Sequence, residues 1–112
     1  MMPMEVYMME IKSGRGKGRG SSQWTVCYDP EIDKYSARLN FGSDMCIEVS
    51  YYEINKDIYD NVGTFEDDTN QSEELIKKGR LLYRYNDNKW GWPISKVVDA
   101  NWQDICRGLF SR

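Results

Sequence analysis

The chain has 112 residues, 40% of them hydrophobic and 29% charged, a net charge of −3 and no histidine. That length supports one hydrophobic core, read as a single domain over residues 1–112. Without imidazole the chain cannot build a Ser-His or Cys-His nucleophile from its own residues, and it lacks the commonest base and transition-metal ligand near neutral pH. A non-enzymatic protein without a cofactor or a metal is the expectation. No apolar run approaches the ~20 residues needed to cross a bilayer as a helix. Met1-Met2-Pro3-Met4-Glu5 does not open a secretory signal, so the expected compartment is cytoplasmic, with no membrane partner. Cys27, Cys46 and Cys106 are odd in number and far apart. They suit neither a disulfide framework nor a zinc site, and read as buried free thiols.

In chain order, Met4 to Lys12 alternates loosely and reads as a first strand. The stretch 13–22, Ser-Gly-Arg-Gly-Lys-Gly-Arg-Gly-Ser-Ser, alternates glycine with cations. Maximal backbone freedom and like charges point to a flexible Gly/Arg loop at the tip of a hairpin. Gln23 to Tyr28 is the next strand, with Trp24, Val26 and Tyr28 on one face. Asp29 to Lys34 is a turn, in which Pro30 fixes its own φ and pushes Asp29 toward an extended conformation. Tyr35 to Phe41 alternates Tyr35, Ala37, Leu39 and Phe41 with Ser36, Arg38 and Asn40. After Gly42-Ser43-Asp44, the run Met45 to Tyr52 alternates again. Three strands with short turns predict an antiparallel meander with one buried face.

From Glu53 to Asp68 the periodicity breaks down and the segment reads as loop. Asn70 to Lys78 reads as a short helix, with Asn70 as cap, Glu73 completing a capping box and Gly79 as a left-handed stop. Arg80 to Tyr85 and Trp90 to Ile94 read as a hairpin turning at Asp87-Asn88. Ser95 would then cap a final helix whose stripe is Val98, Trp102, Ile105 and Leu109. The predicted fold is α+β: an antiparallel sheet of five to six strands, one short helix, and a C-terminal helix packed on one face.

Charge is divided along the chain, with balances of +2 over residues 1–28, −10 over 29–74 and +5 over 75–112. The acidic residues Asp57, Asp60, Glu66, Asp67 and Asp68 form a candidate partner-binding face that would steer toward a basic protein surface. The EF-hand template fails in this tract: Ser72 stands where glycine is needed, and Lys78 where the bidentate Glu should be. Four Trp and eight Tyr supply candidate anchors. These features favour a small binding protein that occludes a macromolecular partner, as an inhibitor or immunity protein does. The alternative is a nucleic-acid-associated protein in which residues 12–22 follow phosphates through Arg15, Lys17 and Arg19, while Trp24 or Trp92 stacks on a base. A third reading holds a small anion on the glycine amides.

Overall fold

The computed structural model describes residues 17–20, 23–42, 46–66, 70–88 and 91–110. Six strands lie in one antiparallel sheet in sequence order: β1 (Lys17–Gly20), β2 (Trp24–Asp29), β3 (Lys34–Gly42), β4 (Cys46–Ile54), β5 (Arg80–Asn88) and β6 (Ile94–Val97). Helices α1 (Lys56–Asn61) and α2 (Gln71–Ile76) lie between β4 and β5, and α3 (Trp102–Ile105) and α4 (Arg107–Phe110) follow β6. The α+β expectation holds, as does the meander β2-β3-β4. The strand read over Met4–Lys12 lies outside the described residues.

Register fixes the two faces, because directly paired residues share a face. One row runs Val26, Ala37, Tyr52, Leu81; the next runs Trp24, Leu39, Ser50, Arg84. On this first face Val26, Ala37, Leu39, Tyr52 and Ile54 bury against Ile58 and Val62 at α1 and Ile76 of α2. Full burial of a side chain such as Leu39 contributes on the order of 2–3 kcal/mol. The opposite face carries the row Thr25, Arg38, Tyr51, Tyr83, Val97. Here Tyr51, Leu82 and Cys106 form a second core, with Trp102, Ile105 and Leu109 packed around them. The sheet is therefore covered on both faces, not one. A register shift beside Tyr51 and Tyr52 skips Leu82 in the β4–β5 ladder, and this irregularity adds Leu82 to the second core.

Several local expectations are corrected. Lys17–Gly20, expected within the flexible loop, is a strand against β2 and the outermost on that side among the described residues. Glycine suits it because a Cβ at Gly20 would stand 2.5 Å from the Trp24 carbonyl oxygen. The segment after Glu53 contains α1, capped by Asn55, whose Oδ1 accepts from the Ile58 amide at 2.8 Å. Only Ile58 of its six residues is buried, too little to impose a visible period. Asn70 makes no side-chain cap bond. Gly79 does not take a left-handed conformation; among the described glycines only Gly63 has a positive φ, of 82°. Gly79 is instead required by close approach, because a Cβ there would lie 2.6 Å from the Glu53 carbonyl oxygen.

Asp87 and Asn88 do not turn a hairpin: they continue β5 opposite Ile47 and Cys46, so the connection to β6 falls further along. Ser95 lies in β6 and caps no helix. The expected C-terminal helix begins only at Trp102 and is broken into α3 and α4 at Cys106. The reason is a competing bond. The Val98 and Asp99 amides both donate to the Leu82 carbonyl, which holds this segment along the sheet as far as Asp99.

Gly108 lets α4 settle onto β2, since a Cβ there would meet the Cys27 Sγ at 2.6 Å. Gly108→Ala should lower stability by about 1–3 kcal/mol through overpacking. Urea denaturation checks this, and Cys27→Ala in the same chain should restore much of the loss.

Candidate functional site

The turn after β2 is built on Asp29, 2% exposed, whose Oδ1 accepts from the Glu31 amide at 3.0 Å. Asp33 completes the turn with a φ of 53°, and its Oδ1 accepts from the Tyr28 hydroxyl. Arg107 reaches this turn from α4. Its Nε donates to Asp29 Oδ2 at 2.5 Å, and its Nη2 to Glu31 Oε1 at 2.6 Å and to Asp29 Oδ1 at 3.4 Å. The fork of Arg107 thus ties the C-terminus to β2 across 78 positions of sequence.

Beside it, Glu53 of β4 accepts from Lys34 at 3.1 Å and from Arg80 at 2.7 Å, and Arg80 also donates to Asp99 at 3.0 Å. Burial alone would raise the Glu53 carboxyl, but the hydrogen bonds and charges of Arg80 and Lys34 together hold it below its ordinary value. Asp99 is held down by the Asn101 amide and then by Arg80. A polar concavity of about 360 Å³ opens beside this network, lined in part by Glu53, Asn55, Lys78 and Arg80. Charge is balanced here by internal pairing, so the arrangement joins β3, β4 and β5 to the segment before α3.

The residues singled out in the sequence are dispersed. Asp57 and Asp60 both lie exposed on α1, with Asp60 ion-paired to Lys56 at 2.6 Å. Glu66 is exposed beyond α1, and Asp67 and Asp68 lie outside the described residues. Arg15 also lies outside them, whereas Lys17 and Arg19 stand in β1 opposite Tyr28 and Val26. Trp24 is partly buried on the first core, its ring within 3.0 Å of where a Cβ on Gly63 would sit. Trp24 thus contributes to the first core while keeping part of its surface accessible. Trp92 is not in a strand and is 88% exposed, while Trp90 lies outside the described residues.

Trp92 was singled out in the sequence, but its neighbours around β6 were not. All four residues of β6 are exposed, and Trp92, Ile94, Val97 and Val98 form the largest group of exposed apolar side chains close together in the chain. The register puts Ile94 on the first face and Val97 on the second, where an aromatic cluster lies. Tyr83 stacks on Trp102 with centroids 4.1 Å apart and planes 3° apart, and Tyr51 touches Tyr83, Trp102 and Phe110 at 6.1, 5.0 and 5.4 Å. The signals in the sequence were the run Trp90-Gly91-Trp92-Pro93, readable as a stacking platform or an interface anchor, and the aromatics from Tyr83 onward, read as a hairpin followed by a helix.

Among the described residues no three His, Cys, Asp or Glu side chains cluster as a metal site requires. No helix among them is long and apolar enough to cross a membrane. No protein-family model, curated protein or solved structure matches this chain.

The pH response follows from the depressed carboxyls. Unfolded, Glu53 and Asp99 take up protons at higher pH than they do folded, so their stabilisation is complete above the ordinary carboxylate range. It is lost as pH falls through the folded values. The urea midpoint should hold from pH 7 to about 5 and then fall toward pH 3. Glu53→Gln should lower the plateau and make the fall shallower. Thiol chemistry gives a separate test. Burial pushes the Cys27 thiol up to about 11 and the Cys106 thiol to about 12, leaving little thiolate at neutral pH. Iodoacetamide on the native protein, followed by peptide mass mapping, should label the half-buried Cys46 first and leave Cys27 and Cys106 unmodified.

Proposed function

We propose that this chain is a small non-enzymatic binding protein that occludes a protein partner, as an inhibitor or immunity protein does, and that it docks through the β6 edge. One observation carries this reading: the edge strand is flanked by exposed Trp92 and Val98 and itself exposes Ile94 and Val97. Natural sheets blunt their edges with charge. β6 carries only Lys96. An edge of this composition suits pairing with an extended segment of a partner, main-chain bonds supplying affinity and the Trp92 ring an anchor. The partner presents a basic surface around that segment. Asp57, Asp60 and Glu66, with Asp67 and Asp68, steer the encounter; they govern association rate more than final affinity.

Capture of partners from a source lysate treated with nuclease tests both parts. The wild-type chain should retain a stoichiometric protein, and Trp92→Ala with Ile94→Asp should lose it while keeping the native melting temperature. Neutralising Asp57, Asp60, Glu66, Asp67 and Asp68 should leave that protein bound but slow its association at low salt. Undiminished capture by the β6 variant would overturn the docking surface.

A further inference from the structure

Arg38 occupies an unusual position in the sheet. On its face, its cross-strand neighbours are Thr25 and Tyr51, and its same-strand neighbours are Ser36 and Asn40. All four are uncharged. Among the described side chains, Arg80, Arg84 and Arg107 each meet a carboxylate within 4 Å: Arg80 has Glu53 and Asp99, Arg84 has Glu48, and Arg107 has Asp29 and Glu31. Arg38 pairs with no carboxylate among the described residues. Its Nη2 donates to Thr25 Oγ1 at 3.4 Å, a long bond, and its Nε is buried without a hydrogen-bond partner. Glu53 lies two residues along β4 from Tyr51, but its two oxygens are engaged by Lys34 and Arg80. A guanidinium partly removed from water with no opposing charge is destabilising, and a nearby anion reverses the sign of that contribution.

We propose that Arg38 and Thr25 form a binding point for a phosphate group on the second face of the sheet. Nε–H and one Nη2–H lie along the same edge of a guanidinium, the edge by which Arg107 grips Asp29 in this same fold. At Arg38 that edge is shared with a hydroxyl, so the Nη2 side offers a charged donor beside a neutral one. The phosphate accepts from Nη2 and Thr25 Oγ1 and compensates the buried Nε through its charge. A carboxylate is satisfied by a single guanidinium edge. A tetrahedral oxyanion has further oxygens, and Asn40 lies two residues along β3 from Arg38, on the same face and at the rim of a concavity of about 520 Å³. Phe110, 42% exposed, packs against Tyr51, the β4 partner of Arg38. The phosphate is therefore either free or carried by a nucleotide whose base lies against that ring. This site is separate from the β6 edge and does not depend on a protein partner.

The test is NMR titration of the full chain with inorganic phosphate, a nucleoside monophosphate, acetate and sodium chloride at matched ionic strength, following the Arg38 side-chain Nε–H and the Thr25 amide. Saturable shifts with phosphate, at least about tenfold weaker in Arg38→Gln, support the site. Thr25→Val keeps the charge and the shape and should also weaken binding, which guards against a misfolded arginine variant. Tighter binding of the nucleoside monophosphate assigns the phosphate to a nucleotide, and equal binding assigns it to the free ion. Equal shifts with chloride, or unchanged phosphate shifts in both variants, would overturn the proposal.

Discussion

The grip of Arg107 on Asp29 is the constraint on which the second half of the fold depends. Asp29 ends β2 with its carboxylate almost wholly removed from water, and such a group is tolerable only with a charged donor in bidentate geometry. Its other duty, accepting the Glu31 amide, shapes the β2–β3 turn. One buried carboxylate thus sets a local turn and a long-range attachment together. Four-residue helices such as α3 and α4 have no stability of their own. They persist because Arg107 fixes one end, Cys106 and Trp102 bury in the second core, and Gly108 permits contact with Cys27.

That attachment converts a meander with one apolar face into a sheet covered on both faces. The two cores share β4, where Tyr51 and Tyr52 point to opposite sides and are both buried. Adjacent buried residues in a strand are the mark of a sheet with two interiors. The irregularity at Leu82 adds a further apolar side chain to the thinner second core, and the Leu82 carbonyl then holds Val98 and Asp99 along the sheet. The outermost strands differ as a result. Among the described strands, β1 packs Gly20 closely on β2, whereas β6 keeps all four residues exposed, with Val97 on the face of the aromatic cluster. A sheet packed on both faces favours recognition through β6 because little conformational freedom is lost on docking.

Much of the central sheet was legible in the sequence. Tyr35, Ala37, Leu39 and Phe41 alternate strictly, Pro30 marks the turn, and Trp24, Val26 and Tyr28 share the face that the register gives them. The candidate surfaces were much less legible. Trp24 and Trp92 are chemically alike, yet one packs into the first core and the other stands in solvent. Arg38 resembles any polar residue of an alternating strand. That no carboxylate among the described residues pairs with it is visible only once Thr25 and Tyr51 are set on either side of it. The acidic tract reads as one face, yet Asp60 is already paired with Lys56.

By itself, the sequence determined the fold class, the three alternating strands of the meander and the turn between β2 and β3. These rest on side-chain period and local φ preferences, which act between near neighbours. Only the tertiary structure decided that Lys17–Gly20 is a strand against β2, that residues 94–97 extend the sheet, and that the C-terminal helices are short and docked. Those segments have weak intrinsic preferences, so their conformation follows from what they contact: the β2 backbone, the Leu82 carbonyl and the Asp29 carboxylate. Such contacts join residues far apart in sequence, and no local pattern encodes them.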